Sequence, residues 1–160
     1  MIADARFSIK ENSMPSITRN LNILARCGNQ FRSLALASEG ISAAQAPYIL
    51  HICSRPGMSQ EQLARALHVN PSNAARQLSL LENAEFIQRK VSAQDKRLME
   101  IHPTDKARRA EPLILKVNER WNAFLTEGMS GEQLRLLESM LDMMRARAVS
   151  WDEGKEGPLL

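Results

Sequence analysis

"MSQEQLARALHVNPSNAARQLSLLENAEFIQRKV", residues 58–91, is the stretch from which the fold of this chain can be read. Ser59 with Gln62 three residues later forms a capping box, which opens a short helix over "QEQLARALHV". Asn70 is a second N-cap, with Pro71 at the first helical position of "PSNAARQLSLLENAE". A turn near His68–Asn70 separates the two helices, which gives the proportions of a helix-turn-helix. Leu63, Ala64 and Leu67 face Ala74, Leu78 and Leu81, while Ser72, Asn73, Arg76, Gln77 and Leu80 are expected to point outward. "FIQRKV" and "LMEIH" then read as strands on either side of a polar, basic turn, "SAQDKR". Two helices followed by a hairpin make the winged form of the motif.

Long helices flank this block. Pro15-Ser16 opens a helix whose apolar or small residues recur at Ile17, Leu21, Leu24, Gly28, Phe31 and Ala35, ending near Ser38–Gly40. Gly28 and Ala35 permit a second helix to approach closely. Ser42 is read as the cap of a helix over "SAAQAPYILHICS", stopped by Pro56-Gly57. Thr104 and Asp105 start a further helix with an apolar line from Ala110 to Leu125, in which Pro112 should disturb the ladder. Ser130 and Gln133 cap the last one, striped by Leu134, Leu137, Met140, Leu141, Met144 and Ala148.

The fold class expected is mainly α with a small β-hairpin wing. Residues 15–40 and 104–150 would form a helical dimerisation region, 41–103 the winged helix-turn-helix, and 151–160 a flexible tail. Nothing in the chain itself is left to cover the apolar stripes at its two ends. A two-fold homodimer would cover them, the alternative being a monomeric packing of three helices.

The bulk numbers are those of a globular chain. It has 160 residues, 44% hydrophobic and 24% charged, with 21 Lys and Arg against 18 Asp and Glu. A net charge of +3 says little about an anionic partner until the bases are located. No apolar run reaches the ~18–20 residues of a membrane span, and the first residues lack a signal peptide's apolar stretch, so a cytoplasmic location is expected. Cys27 and Cys53 are then reduced, and read as small buried hydrophobes before redox sensors. Phosphate loops, H-E-x-x-H and a nucleophile with its base are missing from the sequence, so no enzyme, cofactor or metal is expected.

Taken together and in order, "ISAAQAPYILHI", the 58–91 block and "SAQDKRLMEIHPTDKARR" resemble the MarR family of transcriptional regulators. The likeness spans about residues 40–110, and the Asp-Lys-Arg turn is its most specific element. The resemblance implies a homodimeric DNA-binding protein that represses from a pseudo-palindromic operator. Many members release DNA when a small aromatic acid or phenol binds between the two regions. This chain departs from the pattern at Ala74 and Ala75 (commonly Val then Thr), at Leu80, at Glu85 (commonly Gly), and at Pro103 and Ala107. Those changes bear on operator sequence and affinity.

The chemistry of a double-stranded DNA partner assigns the residues. Asn73 suits an adenine edge, Arg76 a guanine through two parallel hydrogen bonds, and Gln77 is a second amide candidate. Ser72 at the helix N-terminus suits a phosphate. In the wing, Arg89, Lys90, Lys96 and Arg97 would meet phosphates or a narrow minor groove. Asp95 looks out of place among these bases unless it accepts the guanidinium of Arg97 and the turn's own N–H groups. Lys106, Arg108 and Arg109 read equally as backbone contacts or as solvated residues. For a small-molecule effector, Arg26, Tyr48 and His51, together with Ile49 and Trp121, are candidates for an apolar crevice with a few polar anchors. The competing reading is a winged-helix protein–protein interaction module that no longer binds DNA.

Overall fold

The structure is a computed structural model and describes residues 16–152. Helix α1 (Ser16–Ala35) passes through a short 3-10 turn (Ala37–Glu39) into α2 (Ala46–Ser54), α3 (Gln60–Ala66) and α4 (Pro71–Asn83). A hairpin of β1 (Ile87–Val91) and β2 (Met99–Pro103) follows, then the long helices α5 (Asp105–Leu125) and α6 (Gly131–Asp152). The expected mainly helical fold with a wing is the one observed. Pro15 and residues 153–160 of the expected tail lie outside the described residues, and α6 runs through Trp151 to Asp152. Among the described residues, no helix is long and apolar enough to cross a membrane.

Local chemistry sets most boundaries. Ser59 Oγ accepts the Gln62 N–H while the Gln62 side chain accepts the Ser59 N–H, closing the capping box. Asn70 Oδ1 accepts the Ser72 N–H at 2.8 Å, and Ser130 and Gln133 form another reciprocal pair ahead of α6. Thr104 caps α5, which stays helical through Pro112. Both helices of the central pair end in Schellman turns: Val69 N–H reaches Ala64 O, and Phe86 N–H reaches Leu81 O. Those turns need a left-handed residue, and non-glycine side chains supply it, His68 at φ 50° and Glu85 at φ 61°.

One boundary differs from the sequence expectation. Ser42 does not start α2; the helix begins at Ala46, and Gln45 Oε1 folds back to accept the Ser42 N–H at 2.9 Å. Pro47 explains the shift. Without an N–H, and with a ring that crowds the carbonyl four residues back, it belongs in a first helical turn.

The core lies where α2, α4 and α5 meet the base of the hairpin. Leu36, Ile49, Leu63, Leu78, Leu81, Phe86, Ile101 and Ile114 are fully buried there. The hairpin pairs antiparallel from Ile87 opposite Pro103 to Val91 opposite Met99. A single bridge from Met58 to Ile101 adds a third edge, entered through Gly57 at φ 89°. This bridge fastens the start of α3 to the wing.

Away from this core, α1 meets α5 at Gly28, where a Cβ would sit 3.1 Å from Trp121 Nε1. Trp121 stacks on Phe31 with ring centroids 5.3 Å apart. Gly28 therefore serves a close approach within the chain. Ile17, Leu21 and Leu24 on α1, and Leu136, Met140, Leu141 and Met143 on α6, are exposed in the single chain.

Candidate nucleic-acid interface

Helix α4 presents one polar face to solvent. Ser72, Asn73 and Arg76 are all exposed, and Arg76 Nη2 lies 3.4 Å from Asn73 Oδ1 on the same face. Ser79 and Leu80 continue that face toward the C-terminal end. The two N-terminal side chains best suited to base edges are thus neighbours, and the first-turn N–H groups beside Ser72 add a positive partial charge.

Gln77 is not part of it. Gln77 is only 5% exposed, contrary to the outward placement expected from the sequence. It lies on the turn between Ala74, Leu78 and Leu81, all buried, so helical geometry carries it inward with them.

The wing tip is a closed, internally bonded loop. Arg97 donates to Asp95 through Nε at 3.1 Å, through Nη2 at 3.0 Å and through its backbone N–H at 3.0 Å. The bracket expected from "QDKR" is present. The Arg97 side chain is nevertheless 89% exposed, so one edge of the guanidinium is held and the rest is offered outward. Hydrogen bonds from the Arg97 side chain and backbone hold the Asp95 carboxyl below its usual range. Ser92, which the sequence reading passed over, anchors the loop from inside. It is buried, and its Oγ faces the N–H groups of Gln94 at 3.3 Å and Asp95 at 3.5 Å. A serine directly after a strand is the only sequence signal for that role, an ST-turn.

The remaining wing bases divide. Lys90 and Lys96 are exposed. Arg89 instead turns toward α4, 3.5 Å from Glu82 and half-buried. It alternates with the outward Gln88 and shares a face with buried Ile87, so the pleat directs it to the helix. On the opposite face His102 Nε2 lies 3.1 Å from Glu100 Oε2.

The three effector candidates have unlike surroundings. Arg26 is exposed on α1. Tyr48 is 2% exposed, and its hydroxyl has no hydrogen-bond partner among the described residues. Burial raises its pKa. His51 Nδ1 lies 3.1 Å from the Pro47 carbonyl one turn earlier, a local satisfaction of the ring. Of the cysteines, Cys53 is buried as expected, whereas Cys27 is exposed in the single chain. No group of three or more metal-ligating side chains occurs among the described residues.

Comparison with known proteins agrees with this geometry. A family model described as MarR family matches residues 39–98, which run from the end of the 3-10 turn to the wing tip. An uncharacterised HTH-type transcriptional regulator of Bacillus subtilis strain 168, YybA, is 26% identical over 145 residues, covering 90% of this chain and 97% of its own. The crystal structure of the transcriptional regulator SlyA superimposes with a TM-score of 0.84 at 26% identity, covering 89% of this chain and all of that one. A putative MarR family regulator from Listeria monocytogenes, solved with 26mer DNA, has the same fold (TM-score 0.81, 23% identity, 91% and 100% coverage). With the helix pair, the braced wing tip and the flanking long helices in the same order, the chain is similar to MarR-family transcriptional regulators, and the family model itself matches its winged part.

Proposed function

We propose that the chain is a sequence-specific repressor that binds a pseudo-palindromic operator as a homodimer and lets go when a small aromatic or phenolic effector binds. The observation that carries the DNA reading is the pairing of two exposed features: Asn73 and Arg76 on α4, and a wing tip whose Arg97 is pre-set by Asp95. A helix face of this kind reads base edges in a major groove, while a hairpin arginine reaches the neighbouring backbone or minor groove. Ser72, Lys90 and Lys96 would add phosphate contacts. The Listeria protein of the same fold, solved with DNA, supports the choice of partner. Gln77 is left out of the base-reading set, and Arg89 acts by holding β1 to α4.

The homodimer rests on the uncovered apolar side chains of α1 and α6, helices from opposite ends of the chain. Faces of this extent are ordinarily interfaces, and a two-fold partner offers the same faces in return. Repression and effector release rest on the resemblance to the family. The test is binding to duplex DNA over a range of salt concentrations. A DNA-binding dimer gives a steep linear fall of log affinity with log salt as counterions are displaced from phosphates. A flat response would favour a protein–protein module, for which exposed Leu80 in the middle of α4 would be the natural contact.

A further inference from the structure

We infer that Lys106 is a positioning residue, which locks the recognition helix to α5 and supports operator binding without touching DNA. The inference rests on the DNA reading above, but its geometry stands apart from it. Where α4 ends, three successive backbone carbonyls leave the helix, and all three are taken by the start of α5. Lys106 Nζ donates to the Ala84 carbonyl at 2.8 Å. Thr104 Oγ1 approaches the carbonyls of Glu85 at 2.7 Å and Phe86 at 3.1 Å, and the Thr104 N–H donates to the Phe86 carbonyl at 3.0 Å.

The Lys106 ammonium also sits 4.5 Å from the centroid of the Phe86 ring, a favourable seat for a cation on a π-face. It stands at the negative end of α4, where a positive charge offsets the helix dipole. From the other side, the Arg89–Glu82 pair ties β1 to the same last turn. The end of α4 is therefore fastened on two sides. Helix α5, in turn, runs back along α1 to the Gly28–Trp121 contact, so its tilt is passed to α4 through this joint. In the sequence Lys106 reads as a phosphate contact or a solvated base; the structure gives its ammonium a protein partner.

The discriminating experiment compares Lys106→Met, Lys106→Arg and the exposed wing change Lys96→Met in the full chain. The probe is a duplex selected from a random pool by the wild-type protein, titrated with salt. Lys106→Met is expected to weaken binding about three- to tenfold, the worth of one such charge-assisted tie, with the salt slope unchanged. Lys106→Arg, which keeps charge and donor, should recover most of the loss. Lys96→Met should instead flatten the slope by about 0.9, one phosphate's share. If Lys106→Met flattens the slope in the same way, Lys106 is a phosphate contact and the inference is wrong. Unchanged affinity beside a tightly binding wild type overturns it as well.

A second readout needs no DNA. Amide hydrogen exchange at residues 83–87 should quicken in Lys106→Met and return toward the wild-type rate in Lys106→Arg. Unchanged exchange there overturns the lock. If wild-type protein selects no duplex, the DNA reading fails, and with it the role in operator binding, while exchange still decides whether the joint exists.

Discussion

Asp95 holds Arg97 by three hydrogen bonds of 3.0–3.1 Å, two to the guanidinium and one to the backbone N–H, although the two residues are only two apart. A two-pronged carboxylate–guanidinium pair fixes direction as well as distance. The acidic residue at the tip of a basic wing thereby aims the base it seems to oppose.

Asp95→Ala raises the net charge of the wing by one, and simple charge counting would predict tighter DNA binding. The bracing geometry predicts weaker binding instead, because the freed Arg97 must be ordered at the moment of contact. Affinity measured at matched salt decides between them. Tighter binding would show Asp95 to be a repulsive charge only.

The same brace has a pH dependence. The Asp95 pKa is lowered from 3.8 by its bonds to Arg97, so the brace is complete at neutral pH and is lost as pH falls through that depressed value. A carboxyl titration of Asp95 followed by NMR is expected to have its midpoint below 3.8. In Arg97→Ala the midpoint should move up toward the ordinary value.

Arg76→Ala should cost about 1–3 kcal/mol of operator affinity and relax the preference at one base pair. Gln77→Ala, by contrast, should act through stability, since its side chain is buried beside Leu78. Binding selections with each variant separate the two: a changed sequence preference in the Gln77 variant would contradict its burial.

Glu85→Gly is expected to stabilise the fold by about 1 kcal/mol. Glu85 occupies the left-handed region at φ 61°, where a Cβ is penalised and glycine is not. The gain is reduced by glycine's greater freedom when unfolded, and urea unfolding of the two proteins measures the balance.

Leu24→Glu and Met140→Glu place charges on the uncovered faces of α1 and α6, at side chains 43% and 48% exposed in the single chain. In a monomer such changes would be nearly neutral. The dimer reading predicts dissociation, or loss of folding, seen by sedimentation equilibrium as a change in mass with protein concentration.

The thiol of Cys53 is pushed up to about 11, first by burial and then by Glu111. A thiol whose pKa is raised in the folded state favours folding below its usual value of 9.0, and that contribution fades as pH rises toward 11. In a Cys27→Ser chain, alkylation of Cys53 at neutral pH should be slow until the protein is unfolded. Fast labelling would show that the site opens.

Local chemistry alone makes one part of this protein legible. Caps at Ser59, Asn70, Thr104 and Ser130, the spacing of Leu63, Ala74, Leu78 and Leu81, and the turn "QDKR" all act over a few residues, so α3, α4, the hairpin and the Asp95 brace are legible without coordinates. The burial of Gln77 was half-legible, since its position on the apolar turn argued one way and its amide the other. The late start of α2 was there to be read in Pro47. The partners of Arg89 and Lys106 depend on the fold, because a charged side chain is drawn to whatever acceptor is brought near. For Lys106 that acceptor is a carbonyl 22 residues away, freed by a helix ending and reached only once the hairpin has turned the chain back.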